Sequence, residues 1–292
     1  MKKLVYGLGQ LMRPMEWTKS FGNMVIAAVT VGVMYGVLLE PIRFLLGFAS
    51  LALLWSGLYT LNDYTDRKAD ALHETKKNRP IPSGKVSANA ALGFAIVLVA
   101  ASLGTAYYAN GFGLLMVCVL AMLANQLMYT MKPFSFKKRP VVDLISGSLV
   151  NPIFRFYAGW VLFMPAFNAP LSVLVFILGF QFGGYNLYRM ASKGHEKKLG
   201  LKNSAVMFGK KNMRVLSYIA LAIGALAYIY ATLTVLPIAY LGLGLIMLLA
   251  TPFYLGALKD PEAIDMKKMY WLIYIQYAAF ILGFILLYLI SA

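Results

Sequence analysis

"FLLGFASLALLWSGLYTLNDYTDRKAD", Phe44 to Asp70, changes character at a single point. From Phe44 to Leu61 it holds no charged residue, and from Asn62 onward it is dominated by them. A charge-free apolar run of this length crosses a hydrocarbon core of roughly 30 Å as a helix. The stretch therefore reads as a membrane span that ends in a charged, water-facing helix end.

The rest of the chain repeats the apolar half of this pattern. Of 292 residues, 60% are hydrophobic, and the mean hydropathy is +0.70. One soluble core could not bury that much apolar surface, so soluble classes are excluded. Nine segments read as spans: Phe21 to Leu38, Phe44 to Leu61, Ala88 to Tyr107, Gly111 to Tyr129, Val142 to Phe163, Leu171 to Tyr188, Val215 to Tyr230, Val235 to Leu255 and Tyr270 to Ile290. The expected fold class is all-α, an integral membrane bundle of nine transmembrane helices, with residues 1–292 forming one transmembrane domain. Met1-Lys2-Lys3 and the short apolar stretch after it resemble a secretory leader. Arg13-Pro14 interrupts that stretch without a small-residue cleavage site, so it reads as an interfacial lead-in.

The formal net charge of +16 is explained by where the cations sit. All 27 lysines and arginines except Arg43 and Arg155 fall in the lead-in and the second, fourth, sixth and eighth loops, which share one side of a nine-span bundle. The positive-inside rule puts that side and the N-terminus in the cytoplasm, with Ala292 outside. The basic excess is thus topology and contact with anionic lipids, not nucleic-acid binding. Cys118, the only cysteine, falls inside a span, which excludes a disulfide framework and a thiolate metal site within the chain. The histidines, His73 and His195, lie in polar loops and read as solvated rather than as a zinc pair.

The helix end carries the chemistry. Asn62, Asp66 and Asp70 are spaced i, i+4, i+8, and Asp63, Asp66 and Asp70 i, i+3, i+7. On a continuing helix these oxygens share one face. Clustered carboxylates repel unless a cation lies among them, and hard oxygen ligands in incomplete number suit Mg²⁺, which takes its remaining ligands from water and phosphate. Arg67, Lys68, Lys76, Lys77, Arg79 and Lys85 follow, able to neutralise phosphate oxygens. The turn-prone Arg79-Pro80-Ile81-Pro82-Ser83-Gly84 would fold them back over the acids. The competing reading is a solvated helix end of mixed charge.

Asn62-Asp63-x-x-Asp66-x-x-x-Asp70, continued by Asn78-Arg79-Pro80-Ile81-Pro82-Ser83-Gly84, resembles the first aspartate-rich signature of the UbiA superfamily of intramembrane prenyltransferases. Arg13-Pro14 with Trp17 and Lys19, and Tyr129, Lys132 and Asp143 around the fourth loop, are shorter matches to the same family. The resemblance implies transfer of an isoprenoid chain from its diphosphate to a lipophilic acceptor in the membrane, with Mg²⁺ bridging carboxylates and diphosphate. It implies metal ligation by Asn62, Asp63, Asp66 and Asp70, and catalytic work by Asp66, Asp70, Lys132 and Asp143. Arg13, Arg79, Lys85, Tyr129, Arg155, Arg189 and Glu196 are the candidate substrate-binding residues. Breaking an allylic C–O bond needs the leaving diphosphate neutralised, and Arg79, Lys85 or Lys132 could contribute. The carbocation left behind needs an apolar, water-poor chamber.

The chain departs from the family pattern where a second aspartate-rich motif is expected. Aligned on Gly200 and the Leu201-to-Gly209 stretch, the three acidic positions fall on Arg189, Ser192 and Glu196. Three readings stay open there. In the first, Arg189 and the neighbouring lysines hold diphosphate without a second metal; in the second, the donor is phosphoribosyl diphosphate, given to a polyprenyl phosphate; in the third, the protein is a non-catalytic binder. Arg155, three residues after Pro152, lies within the fifth expected span, where a charge costs on the order of 3 kcal/mol. It should face a polar cavity opened by a proline kink. A transporter would place ionisable groups at the bilayer midplane. Here the acids gather at one interface and only Arg155 lies deep, which favours an enzyme.

Overall fold

The computed structural model describes residues 2–74, 76–198, 202–249, 251–259 and 266–291. Among them there is no strand. The helices are α1 (Lys2–Met12), α2 (Trp17–Tyr35), α3 (Pro41–Ala71), α4 (Ala88–Asn110), α5 (Leu114–Thr130), α6 (Val142–Leu144), α7 (Asn151–Trp160), α8 (Leu171–Lys198), α9 (Ser204–Thr234), α10 (Gly244–Leu249), α11 (Thr251–Lys259) and α12 (Met266–Ser291). Each apolar segment expected from sequence overlaps helix among the described residues.

As membrane spans these helices differ. Four are long and apolar enough to cross a bilayer: Pro41–Ala71, Ala88–Asn110, Ser204–Thr234 and Trp271–Ile290. Ile238–Leu249 with Thr251–Lys259, bent by 42° at the break, makes a fifth if the pair is one span. The expected Val142-to-Phe163 span is interrupted. Pro152 has no N–H to give and its ring crowds the carbonyl four residues back, and the chain answers with a π-helical stretch, Ile145–Val150, between α6 and α7. The Val235-to-Leu255 segment is likewise divided, by a 3₁₀ stretch (Ile238–Leu243) that follows Pro237.

Burial is inverted relative to a water-soluble bundle. Ile96 and Val97 on α4, Leu226 and Leu233 on α9, and Leu286 and Leu289 on α12 are exposed. Asn23, Ser50, Thr60, Asn125 and Asp143 are buried. An apolar exterior with polar groups turned inward is what a hydrocarbon solvent selects. The long pairings are α3 along α4 and α8 along α9. The latter crossing is close: a Cβ on Gly179 would lie 2.5 Å from the Ala220 carbonyl oxygen and 2.6 Å from the Gly224 Cα. Small residues at such crossings let helices gain van der Waals contact where no hydrophobic force pulls them together. Phe156, Trp160, Phe176, Phe280 and Phe284 fill the core between α7, α8 and α12.

Two packing features position the charged end. Leu11 of α1 packs with Ile81, Val86 and Ala91, so α1 lies over the loop that follows α3. Ser56 and Thr60 of α3 donate to the carbonyls of Met12 and Leu11, at 3.1 and 3.5 Å, which pins the end of α1 beside α3.

Candidate active site

α3 continues unbroken to Ala71, so Asn62, Asp63, Asp66 and Asp70 do share one helix. At about 100° per residue, positions seven apart nearly eclipse, while the third is turned by about 60°. Asp63 and Asp70 accordingly lie one above the other, and a single guanidinium bridges them. Arg79 donates to Asp63 Oδ1 at 3.0 Å and to Asp70 Oδ2 at 2.7 Å. Arg13 binds the same Asp63 oxygen from the other side. Asp66 faces elsewhere and accepts from Lys137 Nζ at 2.6 Å.

The loop does what its proline-rich sequence suggests. The 3₁₀ stretch Lys76–Asn78 turns the chain, Ser83 N–H bonds the Arg79 carbonyl at 3.0 Å, and Val86 N–H bonds the Pro80 carbonyl at 3.0 Å. Gly84 closes the turn at φ 73°, a left-handed conformation that other residues resist. Arg79 is thereby folded back onto α3. Lys85 is not: it is exposed and turned to Gln10 and Tyr6 of α1. Lys132 is also exposed, and the lysine of the fourth loop that reaches the acids is Lys137.

The second half of the site lies across α6 and α8. Asp143 is fully buried, with Arg189 donating to its Oδ2 at 2.6 Å and the Ser204 hydroxyl donating to its Oδ1. The same Ser204 hydroxyl accepts from Val141 N–H at 2.7 Å, which fixes the start of α9 against α6. Arg189 also approaches the Lys137 carbonyl at 3.5 Å, so the two halves meet at Lys137. Tyr129 and Tyr185 share a hydroxyl contact of 2.9 Å next to this pair. The sequence assigns Arg189 to the substrate; the structure seats it on Asp143. Ser192 and Glu196 fall within α8, but their side chains lie outside the described residues.

A third cluster went unread in the sequence. Glu16 sits in the short turn Pro14–Glu16, bonded to Lys19 at 2.6 Å and approached by the hydroxyls of Tyr59 and Tyr274, each at 3.3 Å. Burial pushes the Glu16 carboxyl up, but Lys19, with help from Arg13 and Arg155, more than reverses this and holds it below its ordinary value. Burial likewise pulls the Arg13 guanidinium down, and Asp63 overrides it, leaving it above its usual value. A lone glutamate in a polar turn carries no motif, so only its neighbours could mark it. Arg155 is buried deeper, its guanidinium 3.9 Å from the centre of the Trp55 ring.

An apolar cleft of about 320 Å³ opens beside these groups, lined by Ala121, Ala124, Met128, Phe136, Ile145 and Val150. Phe136 precedes Lys137 and Val142 precedes Asp143, so the cleft abuts both charged halves.

Whether the residues suit Mg²⁺ is a question of donor chemistry. Asn62, Asp63, Asp66 and Asp70 offer hard oxygens only, and among the described residues no three acidic, histidine or cysteine side chains close into a cage. Mg²⁺ rarely needs one, since it commonly takes one or two carboxylates and completes its shell with water and phosphate. Asp66, the most exposed of the three aspartates, and Asn62 on the same face fit that partial role.

The chain is similar to known proteins in both sequence and fold. The family model described as UbiA prenyltransferase family matches residues 23–275. A decaprenyl-phosphate phosphoribosyltransferase of Mycolicibacterium smegmatis is 32% identical over 197 residues, which are 66% of this chain and 57% of the relative. That of Corynebacterium glutamicum is 31% identical over 147 residues, 49% of this chain and 42% of the relative. A 4-hydroxybenzoate octaprenyltransferase of Aeromonas salmonicida is 27% identical over 173 residues, 58% of this chain and 57% of the relative. The matched part of the chain thus spans about half the length of these curated relatives. In structure, the UbiA homolog from Archaeoglobus fulgidus bound to GPP and Mg²⁺ superposes with a TM-score of 0.72 at 22% identity, covering 96% of this chain and 98% of that one. At that identity the likeness establishes the fold.

Proposed function

Because the chain belongs to the UbiA prenyltransferase family, we propose that it is an intramembrane transferase that moves an isoprenoid chain from its diphosphate to a lipophilic acceptor. The observation that carries the reading is the set of three aspartates on the end of α3, each paired with a basic side chain from a different segment, beside an apolar cleft. A diphosphate arriving there meets Arg79, Arg13 and Lys137 already gathered. The cations are partly exposed while Asp63 and Asp70 are buried, so the pair that can open without stranding a charge is Asp66 with Lys137, partly exposed on both partners.

Asn62, Asp66 and Asp70 would hold Mg²⁺, the ion to which the A. fulgidus homolog is bound together with GPP. When bound, the metal would neutralise diphosphate charge. As the allylic C–O bond breaks, the electron pair leaves with the diphosphate oxygen, where Arg79 and Lys137 stabilise it. The cleft between α5 and the π stretch keeps water from the carbocation until the acceptor nucleophile attacks and loses its proton. The membrane arrangement that fits is nine crossings with the N-terminus and the charged end in the cytoplasm and the C-terminus outside, as the one-sided distribution of lysine and arginine suggests.

A second reading has its own support. Four relatives above 30% identity are all decaprenyl-phosphate phosphoribosyltransferases, and here Arg189 and Asp143 pair where the family's second acidic motif is expected. The experiment is the same for both. Purified protein in lipid vesicles with Mg²⁺ is given either geranylgeranyl diphosphate with 4-hydroxybenzoate and lipid alcohols, or phosphoribosyl diphosphate with a polyprenyl phosphate, and pyrophosphate release is followed. Release with the prenyl donor supports the first reading, and release only with the phosphoribosyl donor replaces it. No release with any pair would sink both.

A further inference from the structure

The loop from Met131 to Pro140, between α5 and α6, holds Lys132, Lys137, Lys138 and Arg139 and no acidic residue. Lys137 turns inward, to Asp66 at 2.6 Å. Lys132, Lys138 and Arg139 are exposed, and no acidic side chain of the described residues pairs with any of them. Like charges this close repel, yet the loop is built to a fixed shape. Ser135 N–H bonds the Met131 carbonyl at 2.8 Å, and Lys138 N–H and Arg139 N–H bond the Ser135 and Phe136 carbonyls, both at 2.9 Å. The Arg139 guanidinium closes the loop by donating to the Pro133 carbonyl at 3.1 Å. Ser135 and Val141, at φ 44° and 67°, stand on either side of the turn in the left-handed region that residues other than glycine resist. Backbone held there against its preference is over-determined by its surroundings, as functional segments are. The 3₁₀ turn Phe136–Lys138 rotates successive residues by about 120°, so the turn that aims Lys137 at α3 sends Lys138 outward.

What the outward side meets follows from its neighbours. Val117, Leu120 and Ala124 form an exposed apolar stripe on α5 that continues at helical spacing to Met131, also exposed. Beyond the loop, Val141 resumes an exposed apolar surface. The loop is thus bracketed by side chains that face hydrocarbon. Between them Phe134 is 47% exposed, edge-on to Phe136 with the ring centres 6.0 Å apart. A half-exposed phenyl ring among three outward cations is poorly placed in bulk water. At the edge of a bilayer both are satisfied, the ring among acyl chains and the cations at lipid phosphates.

We propose that Phe134, Lys138 and Arg139, with Lys132, form a docking site for an anionic phospholipid, and that the bound head group tethers the turn that presents Lys137 to Asp66. The ring sits among the acyl chains and the phosphodiester lies across Lys138 and Arg139. Neutralising those two charges removes the repulsion they exert on Lys137 next to them. A zwitterionic lipid brings its own cation to the same place and is held less tightly. Binding of the lipid does not depend on what the aspartates of α3 transfer.

The test titrates the purified full chain, in neutral detergent at low salt, with dioleoyl phosphatidylglycerol and with dioleoyl phosphatidylcholine, and counts bound lipid by native mass spectrometry. The two lipids have the same acyl chains, and phosphatidylglycerol should bind at least fivefold more tightly. Lys138→Gln joined to Arg139→Gln should reduce that preference to under twofold. Lys2→Gln joined to Lys3→Gln removes the same charge from α1 and should leave it above threefold. Phe134→Ser should weaken both lipids. If the Lys138 and Arg139 double variant does not fold, Lys138→Gln alone takes its place and should at least halve the preference. Hydrogen exchange at the Lys138 and Arg139 amides reads the tether: phosphatidylglycerol should slow it tenfold in the unaltered protein, and phosphatidylcholine should not. No preference in the unaltered protein, its survival in the Lys138 variants, or an equal loss in the α1 variant would overturn the site. Displacement of the lipid by millimolar inorganic phosphate, with no effect of equal chloride, would do so too, by showing a site for free phosphate. Preferential binding with unchanged exchange would overturn the tether.

Discussion

The two halves of the charged end use the same residue types in opposite ways. On α3, Asp66 is 32% exposed and Lys137 17%, and Arg13 and Arg79 are similarly open, although the Asp63 and Asp70 carboxylates they hold are buried. Across α6 and α8, Asp143 is sealed at 0% and Arg189 at 7%. A pair partly exposed on both partners, as Asp66 and Lys137 are, contributes little to stability and can exchange partners, which suits a place where a charged substrate arrives and leaves. A sealed pair gains strongly from its geometry but cannot open without stranding a charge. It holds the shape of the site, with Ser204 tying α9 to α6 through the same carboxylate. One side is therefore built to exchange and the other to stay, although both read in sequence as charge near a membrane surface.

The largest effect expected from this contrast is on stability. Arg189→Ala leaves the Asp143 carboxylate buried and unpaired, and should destabilise the fold by about 3–5 kcal/mol, read as a lowered thermal unfolding midpoint in detergent. Joining it to Asp143→Asn removes the stranded charge and should recover most of the loss. If the double variant is as unstable as the sum of the single ones, Arg189 and Asp143 do not act as a pair.

The α3 side should behave in reverse. Asp66→Asn should lower transfer about 100-fold, close to 2.7 kcal/mol of transition-state stabilisation, while the unfolding midpoint moves little, since a partly exposed pair is worth about 0–1 kcal/mol. A large fall in midpoint with activity retained would reverse the roles assigned to the two halves.

The smallest effect concerns Glu16 and acid. Its carboxyl is held below its ordinary value, so the ionised form is favoured in the folded state. That contribution is complete above the unfolded value, about 4.3, and is lost as pH falls through the lower folded value. Stability followed from pH 7 to pH 3 should be flat to about pH 5 and then decline, and Glu16→Gln should make the acid decline shallower by under about 1 kcal/mol. An unchanged acid limb in Glu16→Gln would show that Lys19 and the two tyrosines do not hold the charge.

How much of this was legible in sequence depends on the range of the signal. Hydropathy and helical spacing are properties of neighbours along the chain. They were enough for an all-helical membrane fold, for the one helix that carries Asn62, Asp63, Asp66 and Asp70, and for a loop that turns Arg79 back onto it; the single face expected of these residues is not kept, since Asp66 turns away from Asp63 and Asp70 to Lys137. They could not count the crossings. Pro152 and Pro237 were visible, but whether a proline merely bends a segment or divides it depends on what packs against it, and Ile145–Val150 answers with a π stretch held by Asn125 and Ser146.

Choice of partner lies beyond any local signal. Arg13 and Asp63 are 50 residues apart, Asp66 and Lys137 71, and Asp143 and Ser204 61. Lys132 and Lys137 belong to the same short loop and carry the same charge, and only the path of the chain between α5 and α6 brings one to Asp66 and leaves the other exposed. Sequence determined that the α3 acids and most of the cations lie in the polar segments between apolar ones, because hydrocarbon admits a charge only at a cost. Which cation holds which acid, that Arg189 belongs to Asp143, and that Arg155 stacks on Trp55 among tyrosines and within reach of the Glu16 charge were decided by the helix crossings, because an ion pair forms between side chains that meet in space.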